Sequence, residues 1–263
     1  MFRILSAGAA FLLSLLIGQT SLSAAANAAE TGPLRLAAID FFPFGFKDKQ
    51  GVTRGLAQDT AVAIGENSPL PITPVLLPVP RVLRSVTRGE IDLLISCKDP
   101  VMVPNVEFIG KLGCLNSMIA FRKGLRPTEL KELAGLRIGF VSGGYFHKRF
   151  SGRFELEEVL VPSNESMLRM LLRQRLDGFV INSVIYDAYL NYLLPGPALP
   201  DGWQNQLAPP MTLERMELHL SISKSSKLQQ YGAELRTIVN RVRQSGEFER
   251  IYRYYGSRDG GSC

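Results

Sequence analysis

From residue 34 onward the chain alternates short apolar runs with segments of helical spacing, which restricts it to layered α/β architectures with mainly parallel sheets. Residues 34–41 read as a buried strand, and 55–66 as a helix after a loop interrupted by Pro43 and Gly45. Residues 72–79 are strand-like, with prolines that suit an edge position because proline cannot donate to an inner ladder. Val82, Leu83 and Val86 give 81–88 the spacing of a helix. The continuous apolar run at 91–96 fits a parallel strand covered on both faces. A second series follows, with a short helix at 128–133, strands at 136–141, 159–161 and 177–181, and helices at 165–175 and 184–194. Met167, Leu168, Leu171 and Leu172 share one face of the 165–175 helix. A strand at 218–222 and a long helix over 228–242 complete the pattern, and no solenoid period appears.

Two series of similar size predict two lobes. Segments 114–121 and 217–223 are the candidates to cross between them, so lobe 1 is expected to be discontinuous, residues 31–115 plus 220–263, with 116–219 as lobe 2. Residues 1–29 read as a cleaved export signal outside the fold. Arg3 gives a positive start, 4–18 is an apolar run, and 21–29 is a small-residue stretch containing Ala26-Asn27-Ala28. The run is shorter than the ~20 residues of a membrane span, so cleavage after Ala28 or Ala29 and a periplasmic location are expected. Export permits disulfides. Cys97 and Cys114 end two apolar segments expected to run side by side, so they form either a bridge or two small buried thiols. Cys263 is then the odd cysteine, on a glycine-rich tail.

Composition narrows the function. With 263 residues, 46% apolar and 21% charged, the chain can bury a core without staples, and a disordered, coiled-coil or collagen-like chain is excluded. Lys+Arg number 30 against 24 Asp+Glu, a net charge of +6. The basic residues are scattered, apart from the Arg169, Arg173, Arg175 and the Arg236, Arg241, Arg243 groups, which speaks against a nucleic-acid partner. Only His147 and His219 are histidines, and no Gly-x-Ser-x-Gly, His-Glu-x-x-His or Cys-x-x-Cys occurs. No catalytic residue, metal site or cofactor is assigned. Asp92 and Asp177 fall at matching strand starts in separate lobes, where turn and cap roles are the natural reading.

Five motifs occur in order along the chain: Phe41-Phe42-Pro43-Phe44-Gly45-Phe46-Lys47-Asp48 with Gly51 and Gly55; Pro80-Arg81-Val82-Leu83 leading to Gly89-Glu90-Ile91-Asp92; Leu133-Ala134-Gly135-Leu136-Arg137-Ile138-Gly139 with Ser142-Gly143; Arg175-Leu176-Asp177-Gly178; and Ser245-Gly246-Glu247-Phe248 leading to Tyr254-Tyr255-Gly256. Together they resemble the bacterial extracellular solute-binding proteins of family 3, the polar amino acid type. The resemblance implies the two-lobed periplasmic binding protein fold of type II, each lobe a mainly parallel sheet flanked by helices, hinged by two crossing strands. It also implies a monomer that closes over a small molecule and presents it to an ABC permease. A ligand sensor read by a membrane receptor, or a dehydratase-like enzyme working through Asp99, are the alternatives on the same fold.

The resemblance also places a site. The family's stacking aromatic falls on Phe41 or Phe42, with Phe44 nearby. Ser96, Cys97, Lys98 and Asp99 occupy the position of ligand-facing hydroxyls and backbone groups. Gly143, Gly144 and Tyr145 match a helix start whose N–H groups suit an anion. Arg81 either reaches the cleft or pairs with Asp92 or Asp99. Two anchors depart from the family pattern. No arginine lies between Arg88 and Arg122, leaving Lys98 as the nearby cation, and the acid that holds a ligand ammonium is replaced by Asn182. On these grounds the expected ligand is small and polar, neutral or anionic, and a standard zwitterionic amino acid is disfavoured.

Overall fold

The computed structural model describes residues 32–68, 70–98, 102–142, 144–191 and 199–258, with Gly261 and Cys263. The expected export signal at 1–29 and two site residues, Asp99 and Gly143, lie outside the described residues. The first half contains β1 (Leu34–Ile39), a small hairpin of β2 (Phe46–Lys47) and β3 (Thr53–Arg54), α1 (Leu56–Gly65), β4 (Ile72–Leu77), α2 (Val79–Thr87) and β5 (Leu93–Cys97). The long strand β6 (Val106–Phe121) leads into β7 (Arg137–Val141), α3 (Tyr145–Phe150), β8 (Glu157–Val161), α4 (Asn164–Leu172), β9 (Gly178–Asn182) and α5 (Ser183–Leu190). A second long strand, β10 (Met211–Ser223), returns to α6 (Gly232–Gln244) and α7 (Glu247–Tyr254). The segment read as a helix at 128–133 is a 3-10 turn, Leu130–Leu133. The helical stretch read as 228–242 divides into the 3-10 turn Gln229–Tyr231 and α6. Gly246, at φ 78°, breaks the chain between α6 and α7.

Eight strands form one sheet in the order β4-β1-β5-β10-β6-β9-β7-β8. β4 is an edge strand, as its prolines predict. β1 runs parallel to β4 and β5, and β7 parallel to β8 and β9. The two long strands are antiparallel to each other and join the two parallel sets. β10 pairs with β5 through residues 218–222, and β6 pairs with β9 through 117–121. Between those ladders, Cys114, Leu115 and Asn116 face Glu217, Met216 and Arg215, and among the described residues these six have no other partner in the strand ladders. The molecule is therefore two α/β halves joined by a two-stranded neck.

Each half buries apolar residues on both faces of its sheet. In the first, Leu36, Leu93, Leu220, Leu235, Val239 and Phe248 join β1, β5 and β10 to α6 and α7, while Val82, Val86 and Leu94 fill the space under α2. In the second, Met167, Leu171, Phe179 and Tyr189 lie beneath α4 and α5, and Phe121, Ile138, Phe140 and Phe150 fill the opposite face. Burying such a side chain contributes roughly 1.5–3 kcal/mol, so the four clusters make each half a rigid body around the neck.

The expected Cys97–Cys114 bridge is absent, and the sheet order gives the reason. β10 lies between β5 and β6, placing Cys97 and Cys114 two strands apart. That separation is about 9–10 Å, beyond the span of a disulfide. Cys114 instead bonds Cys263, with their Cα atoms 5.2 Å apart. The odd tail cysteine is thus the partner.

Candidate functional site

The parallel strands of the two halves end toward the neck, and the loops after them meet there. After β1 the chain turns back on itself. Phe41 N–H donates to Gly45 O at 2.9 Å, and Phe44 N–H donates to Phe41 O at 2.8 Å. The loop carbonyls then cap α1, with Leu56 N–H donating to Pro43 O and Ala57 N–H to Phe44 O. Backbone groups thereby satisfy the orphan donors of the helix start. Gly55 is required at this junction. Its φ is 125°, and a Cβ there would lie 2.7 Å from Phe44 O and 2.8 Å from Pro43 O. Its N–H donates to Tyr255 Oη at 3.0 Å, and that hydroxyl donates to Asp59 Oδ2 at 3.0 Å. Burial, followed by the Asp59 charge, pushes the Tyr255 hydroxyl pKa up, which keeps the phenol protonated as a donor.

The aromatic loop crosses between the halves. Phe41, Phe42 and Phe44 are partly buried against the second-half cluster containing Met118, Ile181, Ile185 and Tyr186. Phe44 also packs on the first-half core, touching both bodies. From the other side, Tyr145 and Phe146 of α3 pack against the first-half cluster, and Tyr145 Oη lies 3.4 Å from Met216 Sδ on the neck. Aromatic side chains thus line the junction from both directions.

At the end of β5, Ser96 and Cys97 are partly buried and Lys98 is exposed. Lys98 Nζ lies 5.8 Å from the Phe108 ring centroid. The β1–β5 register pairs Ala37 with Leu94. Asp40 directly follows β1 and Lys98 directly follows β5, the neighbouring parallel strand. Asp40 is an exposed carboxylate that the sequence reading passed over. A carboxylate and an ammonium therefore stand at adjacent strand ends. Ser96 Oγ is buried without a hydrogen-bond partner among the described residues, and so is Ser117 Oγ on β6, opposite Asn182 in the ladder.

The remaining expected residues have more structural roles. Asn182 is the N-cap of α5, its Oδ1 accepting from Ile185 N–H at 2.9 Å. Gly144 precedes the six-residue helix α3, and its N–H donates to Val141 O at 3.0 Å, so that amide is engaged within the protein. Arg81 is exposed in the first turn of α2. Its suggested partner Asp92 is instead held by Arg35 and by Ser226 Oγ, the latter at 2.6 Å. A pair near the neck went unread in the sequence: Arg149 of α3 binds Glu214 of β10 through Nε at 3.1 Å and Nη2 at 2.9 Å. A sequence marks neither this pair nor Ser117, because both depend on which face of the crossing strands turns toward the junction.

The two histidines are in different halves. His147 Nε2 lies 3.3 Å from Glu158 and His219 Nε2 lies 3.1 Å from Glu217. Lys111 at 2.7 Å, and then His219, hold the Glu217 carboxyl down to about 2. Burial lowers the His219 pKa, an effect Glu217 opposes and the Lys98 and Lys111 charges reinforce. Among the described residues no three His, Cys, Asp or Glu side chains are grouped to hold a metal, and no helix is long and apolar enough to cross a membrane.

No protein-family model matches the chain. A curated protein of Neisseria gonorrhoeae described as a probable histidine-binding protein is 24% identical over 251 residues, spanning 91% of this chain and 89% of that protein. Among solved structures, a putative binding component of an ABC transporter from Wolinella succinogenes, complexed with lysine, superposes with a TM-score of 0.72 at 16% identity, covering 86% of this chain and 96% of that one. A mutant of ArgBP from T. maritima gives a TM-score of 0.69 at 18% identity, covering 88% and 98%. The fold is the two-lobed α/β fold of periplasmic binding proteins, in agreement with the family resemblance of the sequence motifs.

Proposed function

We propose that this two-lobed chain captures a small molecule of the amino-acid class between its halves and presents it, in the periplasm, to an ABC permease. The observation that carries the reading is the placement of Asp40 and Lys98 at neighbouring strand ends beside an aromatic loop that touches the opposite half. The missing arginine and the Asn182 replacement disfavour a zwitterion when the sequence is read alone. Asp40 and Lys98 change that balance, because one half then offers a carboxylate for an ammonium and an ammonium for a carboxylate. The names of the similar proteins, which specify histidine and lysine, support the same ligand class. Phe41 and Phe44 supply the apolar contact, Ser96 and Ser117 the hydrogen-bonding hydroxyls, and Tyr145 the wall from the second half. Cys97 ends β5 at the same place, and Arg81 is exposed in the first turn of α2.

Binding by closure follows from this arrangement. A ligand touching both halves adds contacts only when they are together, and so stabilises the closed state over the open one. Each half is rigid and the neck is only two strands wide, so the motion concentrates at 114–116 and 215–217. The chain works as a monomer, since both walls of the cleft come from one molecule.

Isothermal calorimetry against histidine, lysine, arginine and their N-acetyl and des-amino analogues tests the reading. Binding of at least one amino acid is expected, with loss of roughly tenfold in affinity for Asp40→Asn and for Lys98→Gln, about 1.4 kcal/mol each. Heats of zero across the panel, or unchanged affinity in both variants, contradict it.

A further inference from the structure

Described residues after α7 touch three parts of the molecule: the first half, α5 of the second half, and the neck. Tyr255, at the end of α7, fixes the start of α1 through Gly55 and Asp59 in the first half. Gly256 O accepts from Asn191 Nδ2 at 2.9 Å, next to α5 of the second half. Arg258 donates twice to Asp187 of α5, through its backbone N–H at 3.2 Å and through Nε at 2.7 Å. Asp187 is 4% exposed. Gly261 O accepts from Cys114 N–H at 2.7 Å, and Cys263 is bonded covalently to Cys114. Cys114 is the first neck residue of β6, one beyond the Gly113–Leu218 pair and three before the Ser117–Asn182 pair. The covalent bond therefore lands on the two-stranded neck between the halves.

We propose that Arg258 and Cys263 form a C-terminal clasp that spans both halves and the neck and restrains opening of the cleft, with the Cys114–Cys263 bond as its lock. The two fastenings differ in kind. The ion pair ties the first half to α5, and breaking it exposes a charge on Asp187 that the clasp otherwise neutralises. The disulfide fixes where the end of the chain can lie, which keeps Arg258 within reach of Asp187 at high effective concentration. Reduction frees the chain end and weakens the ion pair without removing either of its charges. A dithiol does this by thiol–disulfide exchange: its two thiols are oxidised to a disulfide while the Cys114 and Cys263 sulfurs each gain an electron and a proton. Cys97 is outside this exchange, on the far side of β10. The inference concerns the protein without ligand and rests on the fold, so it is tested apart from the ligand-binding reading.

The Asn116 amide reports on the clasp because it donates to Ser183 Oγ at 3.0 Å, joining the neck to the start of α5. Hydrogen exchange of Asn116 and of the α5 amides is followed in the ligand-free protein, in the same protein treated with dithiothreitol, and in Arg258→Gln. Circular dichroism checks folding, and solution scattering reports overall size. Arg258 is 65% exposed, so its replacement leaves the core intact. The clasp is expected to give roughly tenfold faster exchange at these amides after reduction. It is also expected to give a measurable increase over a compact radius of gyration of about 18 Å, with a smaller change in the same direction for Arg258→Gln. Unchanged exchange and radius in both samples overturn it. So does faster exchange confined to residues after Tyr254, which makes the tail a local fastening with no hold on the cleft.

Discussion

Arg35 and Asp92 are joined twice, the Arg35 backbone N–H and Nε both donating to Asp92 Oδ2 at 2.9 and 3.1 Å. The second half repeats the device. Arg137 N–H and Nε both donate to Asp177 Oδ2, at 3.1 and 3.0 Å. In each half the arginine Nη2 also donates to the carbonyl three residues before the aspartate, on Gly89 in one and Gln174 in the other. Both of those residues take positive φ, 67° and 56°. The aspartates thus lock the first strand of each half to the central one at the end far from the cleft. They are structural, at the strand ends away from the neck.

Asp177 supplies a pH test. Hydrogen bonds from Arg137 and Arg122 lower its carboxyl pKa from 3.8 to about 2. A lowered carboxyl contributes stability that is full above the ordinary value and disappears as pH falls toward about 2. Asp177→Asn is expected to lose about 2 kcal/mol in urea denaturation at neutral pH, with the difference from the natural protein closing between pH 4 and about 2. A constant difference across that range contradicts the assignment.

Gln174 occupies a backbone conformation that glycine adopts freely, and its counterpart Gly89 shows what the position prefers. Gln174→Gly is expected to raise stability by roughly 1 kcal/mol, read as a higher denaturation midpoint. A lower midpoint shows that the glutamine side chain makes contacts worth more than its backbone costs.

Gly55→Ala places a methyl group against two loop carbonyls at a φ that alanine resists. The expected loss is about 2 kcal/mol, together with weaker binding of the calorimetrically selected ligand, because Pro43 and Phe44 must shift. Full retention of both properties in Gly55→Ala contradicts the claim that this junction sets the aromatic loop.

His219 is expected to titrate below 6.5, because burial disfavours its charged form. NMR titration measures the midpoint directly. Glu217→Gln removes the carboxylate that favours protonation and is expected to move the midpoint lower still. A midpoint at or above 6.5 in the natural protein contradicts the environment described here.

The fold was legible because each half repeats a strand–helix pattern with its own local signals. The apolar run at 91–96 marks β5, the prolines of 72–79 mark the edge, and the Met167–Leu172 stripe marks α4. What lay beyond the sequence depended on strand order. Cys97 and Cys114 looked like neighbours because β5 and β6 follow each other along the chain, yet β10 returns from a hundred residues away to lie between them. Of the proposed site, residue type and position mark the aromatic loop and Lys98 in the sequence, whereas Asp40 acquires meaning only from the pairing of β1 with β5. The helix-capping bond of Asn182 depends on the local backbone turn, which its residue type alone does not show.

The most direct test is a crystal structure of the protein grown with the amino acid that calorimetry selects. The account expects that molecule between the halves, its ammonium within hydrogen-bond reach of Asp40, its carboxylate within reach of Lys98, and its side chain against Phe41 or Phe44. A ligand bound elsewhere, or one in the cleft whose charged groups meet other residues, contradicts it.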